Sequence, residues 1–164
     1  MSGTKSFSPL FPVALAAALV VAADQASKWL VLKTVAYMEC IPVTGFFNIV
    51  HVRNRGAAFG FLSNTETDWQ IVFFLATTVI ALGAIVYLAL QAGRKDRVTL
   101  LGLGGVAGGA LGNAVDRVRF SAVLDFLDLH LAGWHWPAFN VADMAICLGA
   151  LGIALKVLAP GKRA

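Results

Sequence analysis

Apolar residues gather in four long runs along this chain, residues 10–32, 70–92, 98–116 and 139–159. A helix rises about 1.5 Å per residue, so roughly 20 residues cross a hydrocarbon core about 30 Å thick. Each run therefore predicts a membrane-spanning helix. The second, "QIVFFLATTVIALGAIVYLAL", carries no charge at all. In the third, Gly104, Gly108 and Gly112 recur every four residues, with Gly105 and Gly109 beside them. That spacing would weaken a helix in water but lets helix backbones approach closely in a bilayer. Its "GLGGVA" has no strand before it and so does not read as a dinucleotide loop. The fourth run opens with Asn140 and Asp143, three apart and on one helical face, and then has no charge from Met144 to Leu155. An acid at the edge of a bilayer is costly and seldom idle.

Between the runs lie two longer polar stretches, 33–69 and 117–138. Within "GFFNIVHVRNRGAAFGFL", Asn48 to Arg53 alternates as a strand does, and Gly56 and Gly60 suit a bend or a close backbone approach. The expected fold is a membrane all-α protein, a four-helix transmembrane bundle with a small outer β-cradle, forming one domain over 1–164. Four spans put both termini on one side, together with Lys5, Arg94, Lys95, Arg97, Lys156, Lys162 and Arg163, against the single acid Asp96. The positive-inside rule makes that side the cytoplasm and gives the two longer stretches to the outer face. The first run could be taken for a cleaved signal peptide behind Lys5. It resumes after Lys28, however, and is too long for a signal core.

Composition agrees. The 164 residues are 59% hydrophobic and only 13% charged, against about half and about a quarter in soluble domains. The formal charge of +4 is modest, and no basic run is interleaved with aromatics, so a nucleic-acid partner is not expected. Cys40 and Cys147 cannot form a disulfide framework; Cys147, inside an apolar run, reads as a packed small side chain. His51, His130 and His135 show no metal-ligand spacing and read as solvated loop residues, so neither a metal nor another cofactor is expected.

The polar residues at the span ends collect on the outer side. Asp24 and Lys28, four apart, can pair. Asn113, Asp116 and Arg117 share one face of the third run; Asp125 follows in "VLDF", and Asn140 and Asp143 open the fourth. If Asp24 takes Lys28 and Asp116 takes Arg117 or Arg119, Asp125 and Asp143 are left over. Two carboxylates brought together in a poorly solvated site share a proton. One can then activate water while the other protonates a carbonyl oxygen or leaving amine, which is peptide hydrolysis of the aspartic type. Ser27, Ser63 and Ser121 lack a GxSxG setting, and adjacent Ser27 and Lys28 point about 100° apart on a helix. A proton-coupled transporter would string acids along a span rather than cluster them at one end. A structural subunit assembling through the glycine-rich helix would tolerate loss of the acids.

"DQASK" at 24–28, "RNRGAAFGFL" at 53–62, "GGALGNAVDRV" at 108–118, "VLDF" at 123–126 and "FNVADMAI" at 139–146 together resemble the lipoprotein signal peptidases, or signal peptidase II. Leu124 stands where that family more often has valine or isoleucine. The resemblance covers nearly the whole chain. It implies an aspartic endopeptidase of the bacterial cytoplasmic membrane that removes signal peptides from prolipoproteins bearing a diacylglyceryl-modified cysteine. It also implies contact with membrane lipid and inhibition by the cyclic peptide globomycin; nothing in the sequence suggests self-association, so a monomer is expected. By position, Asp125 and Asp143 match the catalytic pair. Asn54, Gly56, Asn113, Arg117 and Asn140 match residues that line the site or hold substrate backbone, and Asp24, Lys28 and Asp116 match polar residues that support it.

Overall fold

The computed structural model describes residues 8–56, 69–94 and 96–159. Among them are four helices long and apolar enough to cross a membrane. They are α1 (Leu10–Thr34), α2 (Trp69–Gln91), α3 (Arg97–Phe120) and α4 (Val141–Leu158). Two strands, β1 (Cys40–Thr44) and β2 (Phe47–Asn54), follow α1, and two more, β3 (Val123–Leu131) and β4 (Trp134–His135), lie between α3 and α4. The protein is a multi-pass membrane bundle of α-helices carrying a small antiparallel sheet of order β1-β2-β3-β4.

Helix α3 is the centre of the bundle and packs against the other three. The two glycine rows explain how. A methyl group at Gly104 or Gly108 would strike Val13, Ala16 or Ala17 of α1, and one at Gly105 or Gly109 would strike Ala142 or Ala145 of α4. Lipid tails are as apolar as the side chains, so close packing of this kind must supply what the hydrophobic effect does not. Val13, Ala17, Ile85, Ala89, Leu100, Leu103 and Ala107 form the membrane core between α1, α2 and α3. The outward leucines, valines and phenylalanines of all four helices are left to face lipid.

The strand expected over 48–53 is β2, one residue longer at each end. No strand was expected over 117–138, yet β3 is the sheet's longest. Its sequence, "VLDFLDLHL", is buried over four successive residues instead of alternating, and that is why the pattern hid it. Helix α3 also runs four residues past its expected end, keeping Arg117 and Arg119 on the helix. Val31 and Val35 meet Leu124 and Phe126, which fastens the sheet to the end of α1. At the opposite end, Asp96 caps α3 by accepting from Thr99 N and pairs with Lys156 of α4. Lys5, Lys95, Lys162, Arg163, Gly60 and Ser63 lie outside the described residues.

Candidate active site

The site lies where α3 turns into β3 and where α4 begins. Helix α3 ends at Ser121, which adopts a left-handed conformation with φ 56° and whose N–H returns to the Arg117 carbonyl at 3.0 Å. The chain then enters β3, with Asp125 facing the same way as Val123. In the β2–β3 register Asn54 lies opposite Val123, so its side chain reaches Asp125 diagonally. Phe139, just before α4, exchanges backbone hydrogen bonds with Leu127 of β3 at 2.9 and 3.0 Å. This bridge sets the first turn of α4 beside Asp125.

Asn140 is the N-cap of α4. Its Oδ1 accepts from Asp143 N at 3.0 Å, while Asp143 Oδ2 accepts from Asn140 N at 3.2 Å, a complete capping box. The Nδ2 of Asn140 remains free for Asp125 Oδ1 and donates to it at 2.7 Å. One residue therefore starts the helix and holds both carboxylates. Asn113 Nδ2 donates to Asp143 Oδ1 at 2.8 Å, and Asn54 Nδ2 donates to Asp125 Oδ2 at 3.1 Å. Gly56 N donates to Asn54 Oδ1 at 3.0 Å, which fixes which end of that amide meets Asp125. Asp125 is only 3% exposed. Burial first, and the neighbouring Asp143 carboxylate second, push it up to about 7 against the hydrogen bonds of Asn54 and Asn140.

Behind this pair sits a second polar cluster. Lys28 Nζ lies 2.9 Å from Asp24 Oδ2, 2.8 Å from Asp116 Oδ2 and 3.1 Å from Asn113 Oδ1. Lys28 thus takes both Asp24 and Asp116, which corrects the expected pairing of Asp116 with Arg117 or Arg119. The reason is position: Asp116 points inward at α1, and Arg117, one residue on, is turned toward the groove. The Arg117 guanidinium packs 4.3 Å over the Phe74 ring and donates to the Asn113 carbonyl. Arg119 donates to Gln25 Oε1 at 3.5 Å. Gln25 Nε2 in turn donates to Asp24 and Asp116 at 3.1 and 3.0 Å. No spacing argument pointed to Gln25, because adjacent helical positions do not share a face.

Both carboxylates open onto a groove of about 1230 Å³. Asn54, Gly56, Asn113 and Arg117 supply its polar wall, and Val123, Phe139, Met144, Ile146 and Cys147 supply much of its apolar wall. Of the residues expected at the site, Asp125, Asp143, Asn54, Gly56, Asn113 and Arg117 line this groove, Asn140 joins the two acids from beneath, and Asp24, Lys28 and Asp116 sit behind. Arg53, which the sequence reading had not marked, also lines the groove, its guanidinium 5.7 Å from Tyr37 and 5.4 Å from Phe120 ring centres.

Comparison with known proteins agrees with the motif resemblance. The family described as signal peptidase (SPase) II matches residues 16–159. The chain belongs to the signal peptidase II family. A protein of Nitratidesulfovibrio vulgaris (strain DP4) named lipoprotein signal peptidase is 51% identical over 135 residues, 82% of this chain and 81% of that one. Another so named, from Oleidesulfovibrio alaskensis (strain ATCC BAA-1058 / DSM 17464 / G20), is 48% identical over 148 residues, 90% and 94% of the two chains. A solved bacterial membrane enzyme superposes with a TM-score of 0.80 at 32% identity over 93% of each chain. The chain is thus a peptidase by family, on a fold shared with a solved relative.

Two lesser expectations need correction. His51 is not a solvated loop residue: it is 5% exposed, its Nδ1–H donates to the Val35 carbonyl at 2.9 Å, and Tyr37 packs edge-on against its ring. Strand β2 turns it inward toward the end of α1. His130 and His135 do lie on the β3–β4 hairpin, stacked at 5.0 Å, with His135 on Asp128 at 2.9 Å. Cys147 is exposed on the groove side of α4 and not packed inside the bundle, and Cys40 is exposed on β1.

Proposed function

We propose that this signal peptidase II cleaves the signal peptide from diacylglyceryl-modified prolipoproteins, just before the lipidated cysteine, by an aspartic mechanism at Asp125 and Asp143. The observation that carries the reading is the linkage of two carboxylates from different elements by one residue, Asn140, at the mouth of a groove that is apolar on one wall and polar on the other. The names of the relatives support the substrate class. A lipid-modified substrate stays in the bilayer, so its scissile bond comes to headgroup depth, and the span ends are where this groove lies. The apolar wall suits acyl chains; Asn54, Asn113 and Arg117 suit the peptide backbone and its carbonyls.

The chemistry needs one proton on the pair. The ionised member takes a proton from water as the water oxygen attacks the scissile carbonyl carbon. The protonated member gives its proton to the carbonyl oxygen. The resulting diol collapses, the C–N bond breaks, and the amine nitrogen leaves with a proton from the pair. An Asp125 held at about 7 is suited to carrying that proton near neutral pH.

The basic residues Arg94 and Arg97, with Lys156, at the end opposite the groove support cytoplasmic termini in the bacterial inner membrane and an active site facing the outer leaflet. Globomycin binds the groove and competes with substrate, and a monomer suffices for turnover. The test is cleavage of a diacylglyceryl prolipoprotein peptide by purified wild type, Asp125→Asn and Asp143→Asn, each with thermal unfolding recorded. Folded variants without turnover uphold the reading; substantial turnover by either overturns it.

A further inference from the structure

Asp24, Lys28 and Asp116 are 0%, 2% and 1% exposed and touch neither the groove nor, by any hydrogen bond, Asp125 or Asp143. Two carboxylates around one ammonium form a buried ion cluster directly behind the acid pair. A cluster needed only for packing would be replaceable by apolar groups at little cost. Its remaining hydrogen bonds give it a different meaning. Asp24 Oδ1 accepts from Ala142 N at 3.0 Å, and Ala142 is the residue before Asp143. Asp116 Oδ2 accepts from Leu124 N at 3.1 Å, and Leu124 is the residue before Asp125. Each carboxylate on Lys28 thus grips the backbone immediately before one of the two acids. Lys28 itself reaches Asn113 Oδ1, which turns the amide so that its Nδ2 meets Asp143. The Asn140 Nδ2 meets the same Asn113 oxygen at 3.2 Å and Asp125 at 2.7 Å.

We propose that Asp24, Lys28 and Asp116 form a positioning device in which one buried cation fixes the separation of the strand-borne and helix-borne aspartates and sets the electrostatic field in which they share a proton. This rests on the paired-carboxylate reading above. The two acids come from separate elements, and displacement by about 1 Å can cost a hundredfold in rate, so something must tie β3 to α4. Backbone grips at the preceding residues do so without occupying the groove. Gly112 belongs to the same device, since a methyl group there would lie 2.6 Å from Asp24 Oδ2.

The charged groups around the pair are Asp24 and Lys28 from α1, Arg53 and Arg55 on the groove wall at the end of β2, and Asp116 and Arg117 from α3. Their signs give the test a direction. In a purified, detergent-solubilised protein acting on a diacylglyceryl prolipoprotein peptide, Asp24→Asn and Asp116→Asn each remove a negative charge. We expect kcat per folded molecule to fall about tenfold or more, KM to change less than about threefold, and the pH–kcat bell to move to lower pH by roughly half a unit or more. Lys28→Met should move the bell the other way.

Thermal unfolding of each variant supplies the folded fraction, and Asp125→Asn and Asp143→Asn are run alongside. If those two still cleave, the acid pair itself is wrong. If they are dead while Asp24→Asn and Asp116→Asn keep the wild-type kcat and pH profile, or lose activity only as the folded fraction falls, the positioning proposal alone fails. Failure of Lys28→Met to fold leaves the two asparagine variants to decide. Failure of all three to fold makes the cluster a folding element and overturns the proposal.

Discussion

Neutralising Asp125 should abolish turnover and yet stabilise the protein, and the gain should depend on pH in a way fixed by the structure. Asp125 moves from the ordinary 3.8 to about 7, chiefly through burial and then through Asp143. The folded chain therefore holds that proton more tightly than the unfolded chain. Between pH about 4 and about 7 the native state carries a proton that the unfolded state has lost, so stability falls as pH rises through that window. At about 1.4 kcal/mol per pH unit the loss reaches about 4 kcal/mol above pH 7. Below pH 4 both states are protonated and nothing is lost.

Asp125→Asn removes this titration while keeping the shape. Its amide offers an acceptor to Asn140 or Asn54 but sets an N–H group against the Nδ2 of the other, a cost of about 1–3 kcal/mol that does not change with pH. The variant should accordingly unfold somewhat before wild type near pH 4, where Asp125 carries its proton. As pH rises the variant should gain on wild type progressively, the difference in Tm changing in its favour by several degrees between pH 4 and pH 8. The assay is thermal unfolding in detergent across pH 4–8, each protein against its own low-pH value. A difference that stays flat across the window, or grows toward acid, would refute the reasoning, because the ionised carboxylate would then carry no burial cost.

Asp143→Asn removes the second cause of the Asp125 shift, so the upper end of the same stability window should drop below about 7; carboxyl infrared titration checks it. Asn140→Ala deletes the cap of α4 and a donor to Asp125 together; it should cost about 2–4 kcal/mol and all activity, read by unfolding and turnover. Gly109→Ala drives a methyl group into the Ala142 carbonyl and should shift the first turn of α4, lowering kcat at least about tenfold, whereas Gly152→Ala, with open space around it, should match wild type. Arg117→Lys loses the stacked guanidinium on Phe74 and should raise KM severalfold in steady-state cleavage of the lipidated peptide.

The four spans were legible to within a few residues because hydropathy is read over a whole turn of helix, and the two glycine rows announced that α3 would be closely packed, though not against which helices. The pairing of Asp24 with Lys28 could be seen from a spacing of four. What stayed hidden depends on contacts between distant segments. Strand β3 is buried on both faces where it leaves α3, so "VLDF" shows no alternation. The choice of Lys28 over Arg117 as the partner of Asp116 follows from how α1 is rotated against α3, which no local pattern encodes. Gln25 sat inside a quoted motif without a role, since its partners lie on α3. The capping box at Asn140 was available from its N-x-x-D spacing.

That capping box bears on how the site could arise and how it can be taken apart. An acid at the third position of a helix is a common stabilising choice, since it meets unpaired backbone N–H groups and the positive end of the helix dipole. Here that ordinary position also delivers Asp143 to the groove, and the amide that completes the cap still has its Nδ2 to spend on Asp125. Helix initiation and acid geometry are therefore one arrangement on the α4 side, and substitutions at Asn140 will always mix lost folding with lost chemistry. On the strand side they separate. Asp125 caps nothing, closes no helix and accepts only from side-chain amides. Its removal relieves a buried carboxylate without loosening any element, which is why the strand acid is the one whose replacement should leave a dead protein more stable than the living one once the pH exceeds about 7.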